Sequence, residues 1–176
     1  DTHALTWRFA EGTRLVDLSQ EPTVIQAHVT TGFLRREVLL AHGIRFRERL
    51  RLRFEDGNLV SRYLLQFDAP LVGLVRSSEY HYRQRADASS TVQANVADPR
   101  KYTDTIRYGY LDVVDAAQGR LPRWAQNLMV YDLLWLFRSS QTPTVRRTQF
   151  PPAMHDEVDE LLPLWLTHID EDTLME

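Results

Sequence analysis

The chain has 176 residues, 43% of them hydrophobic and 26% charged, enough to bury a core and too apolar for a disordered tail. It has no cysteine, which excludes disulfides and thiolate metal sites. Its net charge of −3 conceals a split that excludes a uniformly basic nucleic-acid module: seven arginines against two glutamates between Arg35 and Arg53, then eight carboxylates and no lysine or arginine after Arg147. The first 30 residues alternate and turn, predicting a hairpin with Leu5–Phe9 and Leu15–Leu18 as strands and Gly12 in the turn. A further strand is expected over Thr23–Val29. Phe33–His42 reads as a short helix ended by Gly43.

Ile44–Phe54 then alternates strictly, with Phe46, Glu48, Leu50, Leu52 and Phe54 on one side and Arg45, Arg47, Arg49, Arg51 and Arg53 on the other. This period of two predicts an extended strand. After Asp56-Gly57-Asn58, the spacing of Leu59, Val60, Tyr63 and Leu64 predicts a helix that begins beside an acidic pair. Leu71–Val75 is expected as a buried strand, Tyr80–Arg83 as a short strand, and Ala86–Thr91 as a polar loop. Asp98-Pro99 supplies a cap and a first-turn proline for a helix running to about Gly119. Trp124–Arg138 reads as an apolar helix, and Pro152 to about Ile169 as an amphipathic one bent at Pro163. The order is mixed α/β up to about residue 95, followed by helices. No apolar run approaches the roughly 18 residues of a membrane span. Asp1, without a charged and apolar leader behind it, reads as a cut or processed end.

Two constellations carry candidate chemistry. The first is Arg53-Phe54-Glu55-Asp56-Gly57, an acidic pair at a strand end before a helix. A carboxylate there is rigid on one side and open on the other, so one acid can be supported by a nearby arginine while the other serves as a general base. The plain alternative is an acidic turn in which Asp56 or Asn58 caps the helix. The second is Tyr80-His81-Tyr82-Arg83-Gln84-Arg85 followed by Ser89-Ser90-Thr91, a donor set suited to phosphate or pyrophosphate, or else a solvent-facing edge strand with a polar turn.

Of the 21 basic residues, 20 are arginine, Lys101 being the exception. The planar guanidinium fork suits phosphate and carboxylate, but a GC-rich genome produces the same bias. The arginine face of 45–53 reads as a binding surface for an anionic acceptor such as a polyol-phosphate chain, as a partner for the tail's carboxylates, or as a solvated or ion-paired strand face. The aromatic stripe Trp124, Tyr131 and Trp135 reads as core or packing surface. Asp170-Glu171-Asp172 reads as a solvated tail, and His155 and His168 form no metal pattern.

In combination, Gly32-Phe33-Leu34-Arg35-Arg36-Glu37, Gly43-Ile44-Arg45-Phe46, Phe54-Glu55-Asp56-Gly57, Arg62-Tyr63-Leu64-Leu65 and Tyr80-His81-Tyr82-Arg83 with Ser89-Ser90 resemble the second half of family 2 glycosyltransferases. The resemblance covers about residues 1–95. It implies an α/β fold, the acceptor-side half of a GT-A-like mixed sheet, with residues 96–176 as a helical extension like that of bacterial enzymes building teichoic-acid-like or capsular polymers. It implies inverting transfer of a sugar from a nucleotide-sugar to an acceptor hydroxyl of a polymer or glycan. By resemblance Asp56 is the catalytic base and Glu55 its acidic neighbour, while His81, Arg83, Arg85, Ser89 and Ser90 close over the donor pyrophosphate. A divalent cation, Mg or Mn, is implied for the complete enzyme, with its Asp-x-Asp ligands and the nucleotide-binding half expected ahead of residue 1. Without that half the segment is expected to be inactive alone. A cytoplasmic location is implied, with room for peripheral association at the inner membrane face. The reading from another class is a non-catalytic module that binds or assembles on an anionic polymer or a protein partner.

Overall fold

The computed structural model describes residues 4–81, 98–140 and 152–175. Its first element is not the expected strand. Thr6–Phe9 winds into a 3-10 turn, closed locally by the Arg8 and Ala10 amides on the Leu5 and Trp7 carbonyls. Leu5 is buried while Trp7 is half exposed, so the segment has no continuous apolar face to lay on a sheet. Gly12, at φ +86°, turns the chain into β1 (Arg14–Asp17). The partner of β1 is β2 (Leu71–Leu74), antiparallel, with Val16 opposite Val72 and Leu15 opposite Gly73. Val16 and Leu74 are buried beneath this two-stranded sheet, whereas Leu15 and Leu71 face out. β2 is therefore half exposed, not the buried strand that its apolar run suggests.

Between β1 and α1 the expected strand over 23–29 is absent. Val24 and Ile25 are adjacent and both buried, a pattern no half-buried strand produces. α1 (Arg36–Ala41) is shorter than the expected Phe33–His42 helix, and Phe33 lies fully exposed before it. Gly43 ends it as expected, at φ +59°, with the Ile44 amide donating to the Leu39 carbonyl.

Residues 44–54 depart most from expectation, since they form no strand. Of the apolar residues, Ile44, Leu50 and Phe54 are buried while Phe46 is exposed, so the core takes side chains at intervals of six and four. The segment is held by side chains instead of a ladder: Arg62 donates to the Arg45 carbonyl, Arg47 pairs with Asp112, Arg51 donates to the Glu48 carbonyl, and Arg53 pairs with Asp132. α2 (Glu55–Leu64) follows as the spacing predicts, buried from Gly57 to Leu64. Tyr80 and His81 form no strand, and the remainder of that expected strand and the Ala86–Thr91 loop lie outside the described residues.

The expected helix after Asp98-Pro99 is present but interrupted. α3 (Arg100–Asp104) runs into a wide π-helical stretch (Thr105–Tyr110) and then α4 (Leu111–Ala116), ended by Gln118 and Gly119 at positive φ. The Asp98 carboxylate accepts from the Arg100 amide at 2.9 Å, a capping bond at the start. α5 (Arg123–Ser140) and α6 (Pro152–Leu166), with Pro163 inside it, match expectation. A last turn, α7 (Glu171–Leu174), is held by Gln126 of α5: its side-chain amide donates to Asp170 Oδ2 at 2.9 Å and accepts from the Asp170 amide and the Thr173 hydroxyl.

The described residues are thus helix-rich with one small antiparallel sheet, compatible with the α/β class; a larger mixed sheet is not among them. One hydrophobic cluster draws on residues before and after position 95, from Leu5 and Val16 to Trp165 and Ile169. At its centre Phe54, Tyr110 and Trp165 stack in sequence, with ring centroids 4.8 and 4.9 Å apart. Phe54 has φ +64°, a conformation costing an L-residue roughly 1–2 kcal/mol. Burying its ring offsets that by about 1.5–3 kcal/mol. The ring fits because two glycines leave room for it. A Cβ on Gly57 would stand 2.5 Å from the ring, and one on Gly109 3.0 Å.

Gly57→Ala is therefore expected to destabilise the fold by about 1–3 kcal/mol despite alanine's better helix propensity, and more than Gly109→Ala does. Chemical denaturation of the two variants checks this; a Gly57→Ala protein as stable as the parent contradicts the wedge.

Candidate functional site

The acidic pair is the first turn of α2, not the end of a strand. Its position follows from Phe54, whose carbonyl accepts the Asn58 amide at 2.8 Å and whose left-handed backbone turns the arginine segment into the helix. Carboxylates at this end are favoured by the exposed helix N–H groups. Deeper in α2, fully buried Asn58 donates to the Gly109 carbonyl at 3.1 Å and to Asp112 Oδ2 at 2.9 Å. Buried Arg62 donates to Asn58 Oδ1 at 3.0 Å and lies 3.4 Å from the same Asp112 oxygen. These bonds fix the helix against the π stretch and α4.

Three carboxylates gather around the start of the helix and differ in what they do. Asp56 Oδ2 accepts the Val29 backbone N–H at 3.2 Å and lies 3.9 Å from His28 Nδ1. Its other oxygen has no hydrogen-bond partner among the described residues, and its side chain is 24% exposed. Asp132, from α5, is fully engaged: Arg53 Nη2 donates to Oδ1 at 2.8 Å, Arg53 Nε to Oδ2 at 3.3 Å, and the Tyr110 hydroxyl to Oδ2 at 2.8 Å. Burial, and next the Asp132 charge, keep the Tyr110 phenol protonated well above its usual range. Glu55 differs from both. It makes no ion pair among the described residues, and burial raises its carboxyl above the usual glutamate range, with Asp56 and Asp132 adding to the effect. Its own backbone N–H and Arg53 oppose the shift.

The arrangement offers one carboxylate oriented by a backbone donor with an oxygen open, beside a second whose proton is held more tightly than usual. Such a pair suits proton transfer to and from a hydroxyl. The expected arginine support is present in a different form: Arg53 neutralises Asp132, not either member of the pair. The structure places His81 apart from this arrangement, exposed and 3.4 Å from Glu79, with no contact to Glu55 or Asp56 among the described residues. Arg83, Arg85, Ser89 and Ser90 lie outside the described residues. A cleft of about 260 Å³ bordered by Leu18, Leu64, Pro70 and Trp124 is lined by neither acid.

His28, Tyr110 and Asp132 were not singled out from sequence. Asp132 carried a signal, as the one charged residue in the apolar run Trp124–Phe137, where a lone carboxylate demands a partner. His28 and the Val29 amide carried none, since a backbone N–H meets a carboxylate 27 residues away only through the tertiary fold. The aromatic stripe divides: Trp124 and Leu128 are core, while Leu134 and Trp135 are exposed, with the Arg138 guanidinium 5.3 Å from the Trp135 ring centroid.

No protein-family model matches the chain, and no solved structure matches it. Among curated proteins, the chain is 28% identical over 180 residues to the minor teichoic acid biosynthesis protein GgaB of Bacillus subtilis (strain 168). The match covers 99% of this chain and 19% of that protein, so the chain spans about a fifth of its relative's length. The chain therefore has a distant relative in teichoic acid biosynthesis.

The raised Glu55 carboxyl has a consequence for stability. A folded state that holds this proton more tightly loses stability as pH rises from the unfolded glutamate value, about 4.3, through the folded one. Glu55→Gln is therefore expected to raise the unfolding midpoint at pH 7, with the gain vanishing below about pH 4. Thermal unfolding across that range checks it; a Glu55→Gln protein less stable at pH 7 contradicts the assignment.

Proposed function

We propose that this chain is the acceptor-side part of an inverting glycosyltransferase that acts in bacterial cell-wall polymer synthesis. One geometric observation carries the reading: a carboxylate held by a backbone N–H, with a second oxygen open, beside a half-buried carboxyl at the start of a buried helix. Similarity along 99% of the chain to a teichoic acid biosynthesis protein supports the polymer class. The resemblance of residues 1–95 to family 2 glycosyltransferases supports the reaction.

In this reading Asp56 takes the proton of an acceptor hydroxyl. The hydroxyl oxygen then attacks the anomeric carbon of a nucleotide-sugar, and the nucleoside diphosphate leaves from the opposite side. The Val29 amide keeps the Asp56 carboxylate from rotating away, which preserves the in-line geometry. Glu55 is its acidic neighbour. His81, Arg83, Arg85, Ser89 and Ser90 contact the donor diphosphate, and residues 96–176 extend the acceptor side. In this reading the divalent ion of the complete enzyme is held by residues outside this segment; among the described residues no group of three carboxylates or histidines is placed to hold a metal ion. The site of action is the cytoplasmic face of the membrane, reached peripherally; no described helix is long and apolar enough to cross a bilayer. A purely non-catalytic module for an anionic polymer has less support, because Arg47 and Arg53 each hold a carboxylate of the chain itself.

In the protein that carries this chain, Asp56→Asn is expected to lower sugar transfer by about 10²–10⁴-fold while nucleotide-sugar binding, read by calorimetry, is retained. Turnover unchanged in that variant removes Asp56 from the role.

A further inference from the structure

A second concavity, about 430 Å³, opens where the arginine segment meets the π stretch and α4. Its volume is that of a site for one small ligand. Arg47, Glu48 and Arg49 enter from the arginine segment, Arg107 and Tyr108 from the π stretch, and Asp112 from α4, where exposed Asp115 completes the rim. Wide π turns of this kind occur frequently at functional positions because they re-aim side chains that a regular helix would stack.

The cations here are not equivalent. Arg47 donates to Asp112, at 3.0 Å through Nε and 2.8 Å through Nη2, and Arg107 lies 2.5 Å from Glu157. Both guanidinium groups are therefore held in place while remaining more than two-fifths exposed. Arg49 has no hydrogen bond or ion pair among the described residues; its guanidinium lies 5.7 Å from the Tyr108 ring centroid. The Glu48 and Asp115 carboxylates are likewise without a side-chain partner among the described residues. The cleft thus presents one uncommitted cation, two anchored ones, two uncommitted carboxylates and a half-buried aromatic face.

This inventory selects a class of ligand. A bare polyanion would meet the carboxylates and gain little. An uncharged sugar would leave Arg49 without a counter-charge. A sugar or polyol carrying one phosphate uses every part: carboxylates accept from its hydroxyls, the phosphate takes the guanidinium fork of Arg49, and the C–H face of the sugar lies on Tyr108. The location fits as well. Asp112, which lines the cleft, accepts from Asn58 of α2, so the cleft adjoins the helix that begins with the acidic pair.

We infer that this cleft is a subsite for a phosphorylated sugar or polyol unit, with Arg49 binding the phosphate and Tyr108 the sugar face. As an acceptor subsite the inference rests on the transferase reading above, but its test reads binding alone. Calorimetric or NMR titration of the chain with glucose 1-phosphate should show saturable binding, weakened about tenfold or more by Arg49→Ala and unaffected by Arg76→Ala, an exposed arginine outside the cleft. Tyr108→Leu should weaken glucose 1-phosphate more than inorganic phosphate. Unchanged unfolding midpoints for the variants exclude loss of fold as the cause. Retained affinity for the glucose–glycerol phosphodiester indicates a polymer unit as the natural ligand; loss of affinity for the diester with the monoester retained indicates a free sugar phosphate, and both outcomes support the site. No saturable binding, equal binding of inorganic phosphate, or indifference to Arg49→Ala overturns it. Binding to the chain with no sugar transfer by the complete protein that carries it refutes the transferase reading and not this one; transfer by that protein without binding does the reverse.

Discussion

Phe54 is the point on which the chain's geometry turns. Its left-handed backbone is costly for an aromatic residue, and the cost is met because the ring finds the gap left by Gly57 and Gly109 and packs edge-on to Tyr110. If the ring is withdrawn, the reason for that backbone goes with it. The carbonyl of Phe54 then no longer starts α2 where it does, and Glu55 and Asp56 lose their positions relative to Val29 and Asp132. A packing constraint thus becomes a chemical one: the strained residue immediately before the acidic pair determines where that pair stands. Strain held by surrounding contacts beside chemically active groups is a recurring way of fixing a site.

The arginines serve the same end by a different route. Arg62 is buried, and burial weakens its hold on its proton, as does the Arg47 charge, with Asp112 opposing the shift; Asn58 accepts a hydrogen bond from it. Arg53 performs the equivalent task for Asp132. Most of the arginine segment is therefore internal scaffolding that replaces a β ladder with guanidinium bonds to carboxylates and carbonyls. Arg49, like Arg45, has no side-chain hydrogen bond or ion pair among the described residues, but Arg49 lines the second cleft and lies against Tyr108. Among the described residues, arginines such as Arg47, Arg53 and Arg62 build the fold, while Arg49 stands in a cleft where a ligand can reach it.

What could be read from the chain alone depended on whether the information was local. α2 was legible because Leu59, Val60, Tyr63 and Leu64 mark one face, and the helix after Asp98 because its cap and proline act on their own neighbours. Gly43 ended α1 for the same local reason. The segment 44–54 misled because alternation reports chemical type, not the presence of a neighbouring strand. Its arginines find partners 65 and 79 residues away, on α4 and α5, which no periodicity encodes. The acidic pair was visible as a motif, yet the difference between its members was not. That difference arises from the Val29 amide on one acid and burial near Asp132 on the other.

The account makes the carboxylates of α2 unlike one another, with Asp56 oriented by a backbone donor and Glu55 desolvated beside two like charges. Proton transfer chemistry depends on such inequality between neighbouring acids. The most direct measurement is an NMR titration of the Glu55 side-chain carboxyl carbon in the folded chain. A midpoint displaced above the ordinary glutamate range, and moving down in Asp132→Asn as one of the two like charges is removed, is the predicted result. A midpoint at or below the ordinary range would show that Glu55 is solvated or paired, and the acidic pair would then be a helix-capping turn.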